Sequence, residues 1–158
     1  MGDQIRYPLL HASHVGQDLM ELLAPYCERL AIAGSIRRRK PDVGDIELLC
    51  IPRLGQATDL WGKDLNPLQG VSLLDHRVVH LIKIGLLDYR LDAKGHRSFG
   101  PLNKLLVHVA SGIPVDLFST TVRNSGLALL VRTGPKEFNV RIMTRFRELG
   151  MAGHAYGG

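Results

Sequence analysis

Two carboxylates stand two residues apart in the most chemically suggestive part of the chain. Asp45 and Glu47 follow Gly44 and begin an apolar run that predicts a β-strand over 46–51. Side chains at positions i and i+2 of a strand project from the same face of the sheet. The two carboxylates are therefore candidate ligands for one divalent cation or for two adjacent ones.

A third carboxylate, Asp116, lies in an apolar segment that predicts a strand over 113–118. Burying an isolated charge is costly, so a cation must neutralise this carboxylate. A metal ion and an arginine in a buried ion pair both satisfy that requirement, and the sequence leaves both open. Because all three candidate ligands are oxygen donors, the set suits Mg²⁺ or Mn²⁺ better than Zn²⁺.

A glycine-serine pair precedes the first two carboxylates. Gly34 and Ser35 follow a short apolar segment, and Arg37 and Arg38 come directly after them. Glycine lets a backbone approach a ligand closely, and a serine hydroxyl with neighbouring amides can face a phosphate. The segment predicts an anion-binding turn beside the carboxylates.

The spacing of apolar residues predicts an α+β fold that places these residues on strands and turns. Helical spacing occurs over 9–30, broken near Pro25, and over 71–86, 127–131 and 138–149. Short apolar runs predict strands over 30–33, 46–51, 87–92, 104–110 and 113–118. The stretch 52–70 is rich in Pro, Gly, Asn and Asp, which predicts an irregular loop.

Composition excludes several classes of protein. With 158 residues, 45% hydrophobic and 22% charged, the chain is typical of one globular domain rather than of a disordered or coiled-coil protein. No stretch longer than 11 residues lacks a charged side chain, which excludes a membrane-spanning helix. Two cysteines, Cys27 and Cys50, without a CxxC motif favour a reducing, cytoplasmic location.

The net charge of +5 is concentrated in two segments. Residues 29–40 hold five basic side chains and no acid, and residues 132–147 hold five basic side chains and one acid. The rest of the chain is therefore slightly acidic. Local basic patches on such a background favour a polyanionic partner, although solvated arginines on exposed faces are the alternative.

Together these residues resemble a known family. The Gly-Ser turn, two arginines, the Gly-Asp-x-carboxylate and the later Asp are similar to the nucleotidyltransferase fold, and the full pattern resembles family X DNA polymerases, the group of DNA polymerase beta. The segment LLVRTGPKEFN over 129–139 and Arg6-Tyr7-Pro8 also resemble that family. The chain looks like a compact, phage-type member.

The resemblance implies roles for individual residues. Asp45, Glu47 and Asp116 would hold two Mg²⁺ ions, with Mn²⁺ as a substitute, and Asp116 would be the base nearest the primer hydroxyl. The implied nucleotide-binding residues are Gly34, Ser35, Arg38 and Gly44 at the triphosphate, Thr133 and Gly134 beneath the sugar, and Asn139 at the base edge.

The chain departs from the family pattern at four positions. Glu47 stands where the family usually has Asp, and Pro114 stands where it often has an arginine near the carboxylates. Val131 and Arg132 replace an aromatic pair that lies against the sugar, so we expect them to weaken sugar selection. Because a lyase domain and most of the thumb sheet have no counterpart, we expect no deoxyribose phosphate lyase activity.

The sequence therefore predicts a nucleotidyltransferase palm over 1–123, with a mixed sheet flanked by helices, and a short helical thumb-like segment over 124–158. The implied activity is Mg²⁺-dependent addition of deoxynucleotides from dNTP to primed or gapped DNA, by a monomer with no membrane partner. Arg141, Arg145 and Arg147 are the candidate DNA-phosphate contacts. The alternative is a template-independent nucleotidyltransferase acting on a nucleic acid, a protein or a small molecule.

Overall fold

The computed structural model describes residues 5–55 and 71–151. The helices are α1 (Leu9–Leu23), α2 (Gly34–Arg37), α3 (Leu73–Lys83), α4 (Ser125–Thr133) and α5 (Lys136–Glu148). The strands are β1 (Tyr7–Pro8), β2 (Cys27–Ile32), β3 (Asp42–Val43), β4 (Ile46–Pro52), β5 (Leu54–Gly55), β6 (Val71–Ser72), β7 (Leu87–Tyr89), β8 (Asn103–His108) and β9 (Pro114–Ser119). None of these helices is long and apolar enough to cross a membrane.

A five-stranded mixed sheet in the order β2-β4-β9-β8-β7 forms the centre of the molecule. The two central strands, β4 and β9, are parallel, and the other pairs are antiparallel. Both central strands are covered on two faces, which explains their nearly continuous apolar sequence. The prediction of an α+β fold with a mixed sheet flanked by helices is confirmed.

The larger core lies between the sheet and helices α1 and α3. Leu19 of α1 and Leu74 of α3 are buried against Leu48 and Leu117 of the central strands. A smaller cluster on the opposite face joins Leu49 and Phe118 of the sheet to Ala128 of α4. Helix α4 is therefore anchored to the sheet, and its anchor lies only two residues along β9 from Asp116.

The predicted first helix ends at Leu23, which confirms the predicted break near Pro25, and the helical spacing after Pro25 does not form a helix. Pro25 lies in a 3₁₀ turn over Ala24–Tyr26, because proline cannot donate a helical hydrogen bond. The next six residues form β2, which pairs with β4. Tertiary pairing thus overrides helical spacing in this segment.

The predicted loop over 52–70 and the thumb-like segment are described in part. Strands β5 and β6 pair with each other at the two ends of that loop, and 56–70 lie outside the described residues. Helices α4 and α5 confirm helical structure after 124, and α5 buries none of its residues. The domain boundary between 123 and 124 stays a prediction, and 152–158 lie outside the described residues.

Candidate active site

Three predicted catalytic carboxylates lie on one face of the two central strands. Glu47 in β4 is directly opposite Asp116 in the parallel strand β9. Asp45 precedes β4 and lies two residues before Glu47, so it shares the same face. The alternating neighbours Ile46 and Val115 are buried in the core on the other face. Parallel register thus brings together residues about 70 positions apart in the chain.

Burial raises the pKa of all three carboxyl groups. The pKa of Glu47 rises from 4.5 to about 7, first because the group is buried and then because Asp45 and Asp116 repel its charge. Burial likewise raises the pKa of Asp45 and of Asp116, and the nearby Arg90 partly offsets both increases. Burial thus disfavours the ionised form of all three groups, and a bound cation would offset that effect.

Glu47 occupies the space beside the glycine-serine pair. Gly34 has a φ of +58°, and a Cβ atom at this position would overlap the Oε2 atom of Glu47. Only glycine therefore fits both the backbone conformation and the close approach of the carboxylate. The sequence predicted that this space admits a ligand, whereas in the structure a side chain of the protein fills it. Gly34 and Ser35 also begin the one-turn helix α2 rather than a simple turn.

Arg90 is a site residue that the sequence analysis did not identify. It follows β7, and its Nη2 atom forms an ion pair with Oδ1 of Asp116. An arginine partner for Asp116 was one of the two alternatives left open by the sequence. The only sequence signal was an arginine near the end of a predicted strand. The order of the strands was needed to place Arg90 beside β9.

The donor set fits a hard divalent cation by its chemistry. Within 5–55 and 71–151, no three Asp, Glu, His or Cys side chains are arranged to hold a metal ion. Glu47 lies against Gly34, so its carboxylate must turn to share a ligand with Asp116, of which Arg90 engages one oxygen. The three groups are nevertheless oxygen donors on one face with raised pKa values, which is the environment a Mg²⁺ ion neutralises.

A cavity of about 420 Å³ adjoins Asp45 and Glu47. Three residues predicted to bind the triphosphate line its wall: Ser35, Arg38 and Gly44. Arg6 and Lys40 add two cations, and Arg6 donates to Oδ1 of Asp42 at 2.7 Å. The pairing of β1 with β3 brings Arg6 to this wall. The cavity therefore joins the carboxylates to a cationic surface.

The predicted nucleotide-binding residues at the end of α4 contact this cationic surface. Nη1 of Arg38 donates to the carbonyl of Thr133, and Nδ2 of Asn139 donates to the carbonyl of Val131 at 2.6 Å. Gly134 ends α4 with a φ of +66°. Among the described residues, the Nε of Arg38, the hydroxyl of Thr133 and the Oδ1 of Asn139 are buried without a hydrogen-bond partner. Unsatisfied buried polar groups are rare, so their clustering here favours a ligand site.

Arg132 packs against the sheet. Its guanidinium lies 3.6 Å from the centroid of the Phe118 ring, and its charge lowers the pKa of Glu47. The preceding residue, Val131, is half-buried. Both residues lie in the last turn of α4, and the charge of Arg132 reaches the carboxylate cluster. The predicted effect of the pair on sugar selection stays a prediction.

The three candidate DNA-phosphate contacts are exposed on α5. Arg141 and Arg145 are four residues apart and share one face of the helix. Arg147 lies about 120° around the helix from Arg141. Arg145 also pairs with Glu148 at 2.9 Å. The structure therefore groups two of the three arginines.

Comparison with known proteins identifies a similar fold. The chain aligns with polymerase beta of Leishmania infantum, solved as a ternary P/T complex, with a TM-score of 0.66 and 24% sequence identity. The alignment covers 97% of this chain and 57% of that one, so the chain spans little more than half the length of its structural neighbour. No family model matches the sequence, and no curated protein matches it. The five-stranded sheet and its helices are thus similar to the polymerase beta palm fold.

Proposed function

We propose that this protein is a Mg²⁺-dependent DNA polymerase of the family X type, adding deoxynucleotides to the 3′-hydroxyl of primed or gapped DNA. The observation that supports the proposal most strongly is the position of Asp45, Glu47 and Asp116 on one sheet face, beside a cation-lined cavity. The similar fold of a polymerase beta in a ternary P/T complex adds support. The fold by itself suggests the broader class of nucleotidyltransferases.

The three carboxylates are the residues that would hold the metal ions. When bound, two Mg²⁺ ions would lower the pKa of the attacking hydroxyl and neutralise the triphosphate and the departing pyrophosphate. Asp116 is the proposed acceptor of the hydroxyl proton. Burial raises the pKa of its carboxyl group, which makes it a stronger base than an exposed aspartate.

The cationic wall would hold the triphosphate. Arg38 supplies a guanidinium that can bind phosphate oxygens in a forked geometry, and Ser35 supplies a hydroxyl donor. Arg6 and Lys40 add positive charge to the lining of the same cavity. In the reaction the 3′-oxygen bonds to the α-phosphorus, and the bond from that phosphorus to the bridging oxygen breaks. The pyrophosphate that leaves takes the electron pair of the broken bond.

One observation keeps a second candidate function in view. Arg141 and Arg145 share a face of α5, but Arg147 does not, so the described part of the last helix presents a small basic surface for a duplex. A template-independent nucleotidyltransferase acting on a nucleic acid, a protein or a small molecule needs the carboxylates and the cavity without that surface. Extension of a primer with and without a template separates the two functions.

The test of the proposal is primer extension in Mg²⁺ and in Mn²⁺ by the unmodified protein and by Asp116→Asn. We expect template-directed extension whose turnover falls by about 10³-fold or more in Asp116→Asn, because the lost charge and base act on the chemical step. Nucleotide binding should change little. Asp88→Asn, an exposed aspartate in β7, is the matched control. Full turnover in Asp116→Asn contradicts the proposal, and equal extension without template favours the second function.

A further inference from the structure

A row of four residues crosses the sheet at the candidate active site. The backbone N–H of Arg90 donates to the carbonyl of Leu105 at 3.0 Å. Leu105 in β8 is opposite Asp116 in β9, which in turn is opposite Glu47 in β4. Residues aligned across neighbouring strands share one face of the sheet. Arg90 therefore enters the carboxylate face from the outer edge of the sheet.

Two contacts fix the guanidinium of Arg90 over this face. Neighbouring strands are about 4.8 Å apart, so the Arg90 side chain reaches over β8 to a residue about 10 Å away. On the way its Nε atom donates to the carbonyl of Leu106 at 3.3 Å, and its Nη2 atom pairs with Oδ1 of Asp116. The side chains are 32% and 16% exposed. Because its guanidinium is partly buried and makes two contacts, Arg90 has less conformational freedom than an arginine in an ion pair on the surface.

The strand that carries Asp116 supplies no cation of its own. Pro114, two residues before Asp116 on the same face of β9, has an apolar side chain. The charge of Arg90 acts on Asp45 as well as on Asp116, since it offsets the effect of burial on both carboxyl groups. A cation from an outer strand thus balances a cluster on the two central strands.

We propose that Arg90 is a positioning residue and resident counter-ion of the candidate catalytic carboxylates. It holds Oδ1 of Asp116, leaves Oδ2 for a ligand, and supplies positive charge before a metal ion binds. The inference rests on the proposed function to the extent that these carboxylates hold a metal. The opposing interpretation is a purely structural ion pair that ties the outer hairpin to β9.

The first experiment measures the metal-free protein. Thermal unfolding in EDTA and in increasing Mn²⁺ compares the unmodified protein with Arg90→Met. The matched control is Arg97→Met, which removes an arginine from the same hairpin that stacks on Tyr89 at 4.6 Å from the ring centroid. We expect Arg90→Met to lower the metal-free Tm, and Mn²⁺ to raise its Tm by several degrees more than that of either other protein. The reason is that the metal replaces the missing cation.

An Arg90→Met variant whose Tm rises with Mn²⁺ by the same amount as that of the unmodified protein overturns the proposal, because a structural ion pair contributes equally in both states. If Arg90→Met does not fold, the comparison uses Arg90→Lys, which keeps the charge but loses the forked geometry. Arg90→Lys should keep the Mn²⁺ response near that of the unmodified protein. If Mn²⁺ raises the Tm of Arg90→Lys by several degrees more than that of the unmodified protein, although the charge is kept, the counter-ion role is contradicted.

The second experiment tests positioning by relocating the cation. In primer extension, Arg90→Met should lower kcat by about 10- to 100-fold and leave the KM for dNTP within about threefold, because Asp116 acts on the chemical step. Adding Pro114→Arg introduces an arginine whose Cα lies about 7 Å along β9 from that of Asp116, on the same face. The double variant should lose at least a third of the extra Mn²⁺ stabilisation of Arg90→Met and should regain part of kcat. A double variant in which neither quantity moves back toward that of the unmodified protein contradicts the proposal.

The two experiments separate failure of this inference from failure of the proposed function. In one outcome the unmodified protein extends no primer, but Arg90→Met still shows the larger rise of Tm with Mn²⁺. That outcome refutes the proposed polymerase activity and supports the counter-ion role of Arg90. In the other outcome the unmodified protein extends primers, but Arg90→Met shows the same rise of Tm with Mn²⁺ as the unmodified protein. That outcome refutes the counter-ion role and leaves the proposed polymerase activity supported.

Discussion

The raised pKa of Glu47 predicts an unusual pH dependence for the metal-free protein. In the unfolded chain this carboxyl group titrates near 4.5, and in the folded protein near 7. Between these values the folded state binds more protons than the unfolded state, so stability falls as the pH rises through this window. The loss is complete above about pH 8. Glu47→Gln, which is similar in size and does not titrate, should remove this part of the pH dependence.

The expected size follows from the two pKa values. The gap between 4.5 and about 7, at about 1.4 kcal/mol per pKa unit, corresponds to about 3.5 kcal/mol. Partial exposure to solvent and coupling to Asp45 and Asp116 reduce this value, so we expect 1 to 3 kcal/mol, as an order of magnitude. In EDTA at pH 8.5, Glu47→Gln should thus be more stable than the unmodified protein. A chain of this length should then show a Tm higher by roughly 3–10 °C.

The assay is urea unfolding in EDTA at pH 5 and at pH 8.5. The proteins compared are the unmodified chain, Glu47→Gln and Glu21→Gln, whose glutamate is exposed on α1. The advantage of Glu47→Gln should be full at pH 8.5 and about a quarter of that size at pH 5, and Glu21→Gln should follow the unmodified protein. Mg²⁺ should restore stability at pH 8.5 to the unmodified protein but not to Glu47→Gln. A stability difference between Glu47→Gln and the unmodified protein that is the same at both pH values refutes the reasoning.

The remaining predictions concern DNA, sugar selection and the core. Affinity for a primed duplex should fall steeply as the salt concentration rises. Replacing Arg141 and Arg145 with Ala should each reduce the slope of log affinity against log salt concentration by about one. An unchanged slope excludes phosphate contacts by these arginines. The preference for dATP over ATP in kcat/KM should be about 10²-fold or less, and it should rise in Val131→Tyr. Competition between the two nucleotides on one primed template measures this preference. A preference above about 10³-fold in the unmodified protein refutes the prediction. Asp75→Asn should cost about 3 kcal/mol in urea unfolding, because it removes the negative charge that lies 2.8 Å from the fully buried Nζ of Lys104 and neutralises it. A loss below about 1 kcal/mol contradicts this.

The local features of the site were predictable from the chain. The two-residue spacing of Asp45 and Glu47 places them on one face of any strand, whatever the strand pairs with. The apolar sequence around Asp116 likewise indicated a buried strand that needs a compensating cation. Helices α1, α3, α4 and α5 and the central strands were predicted to within a few residues. The exceptions are the one-turn helix α2, for which the sequence predicted a turn, and the start of β2, where helical spacing was outweighed by pairing with β4.

The partners of those residues were decided by the tertiary structure. Arg90 can reach Asp116 because the strand order places β7 two strands from β9, with β8 between them. Glu47 covers Gly34 because α2 begins beside β4. Arg132 stacks on Phe118 because α4 crosses the sheet at that point. Backbone spacing is a short-range property that a sequence encodes directly. Contacts between distant segments depend on strand order and on packing, which no single segment encodes.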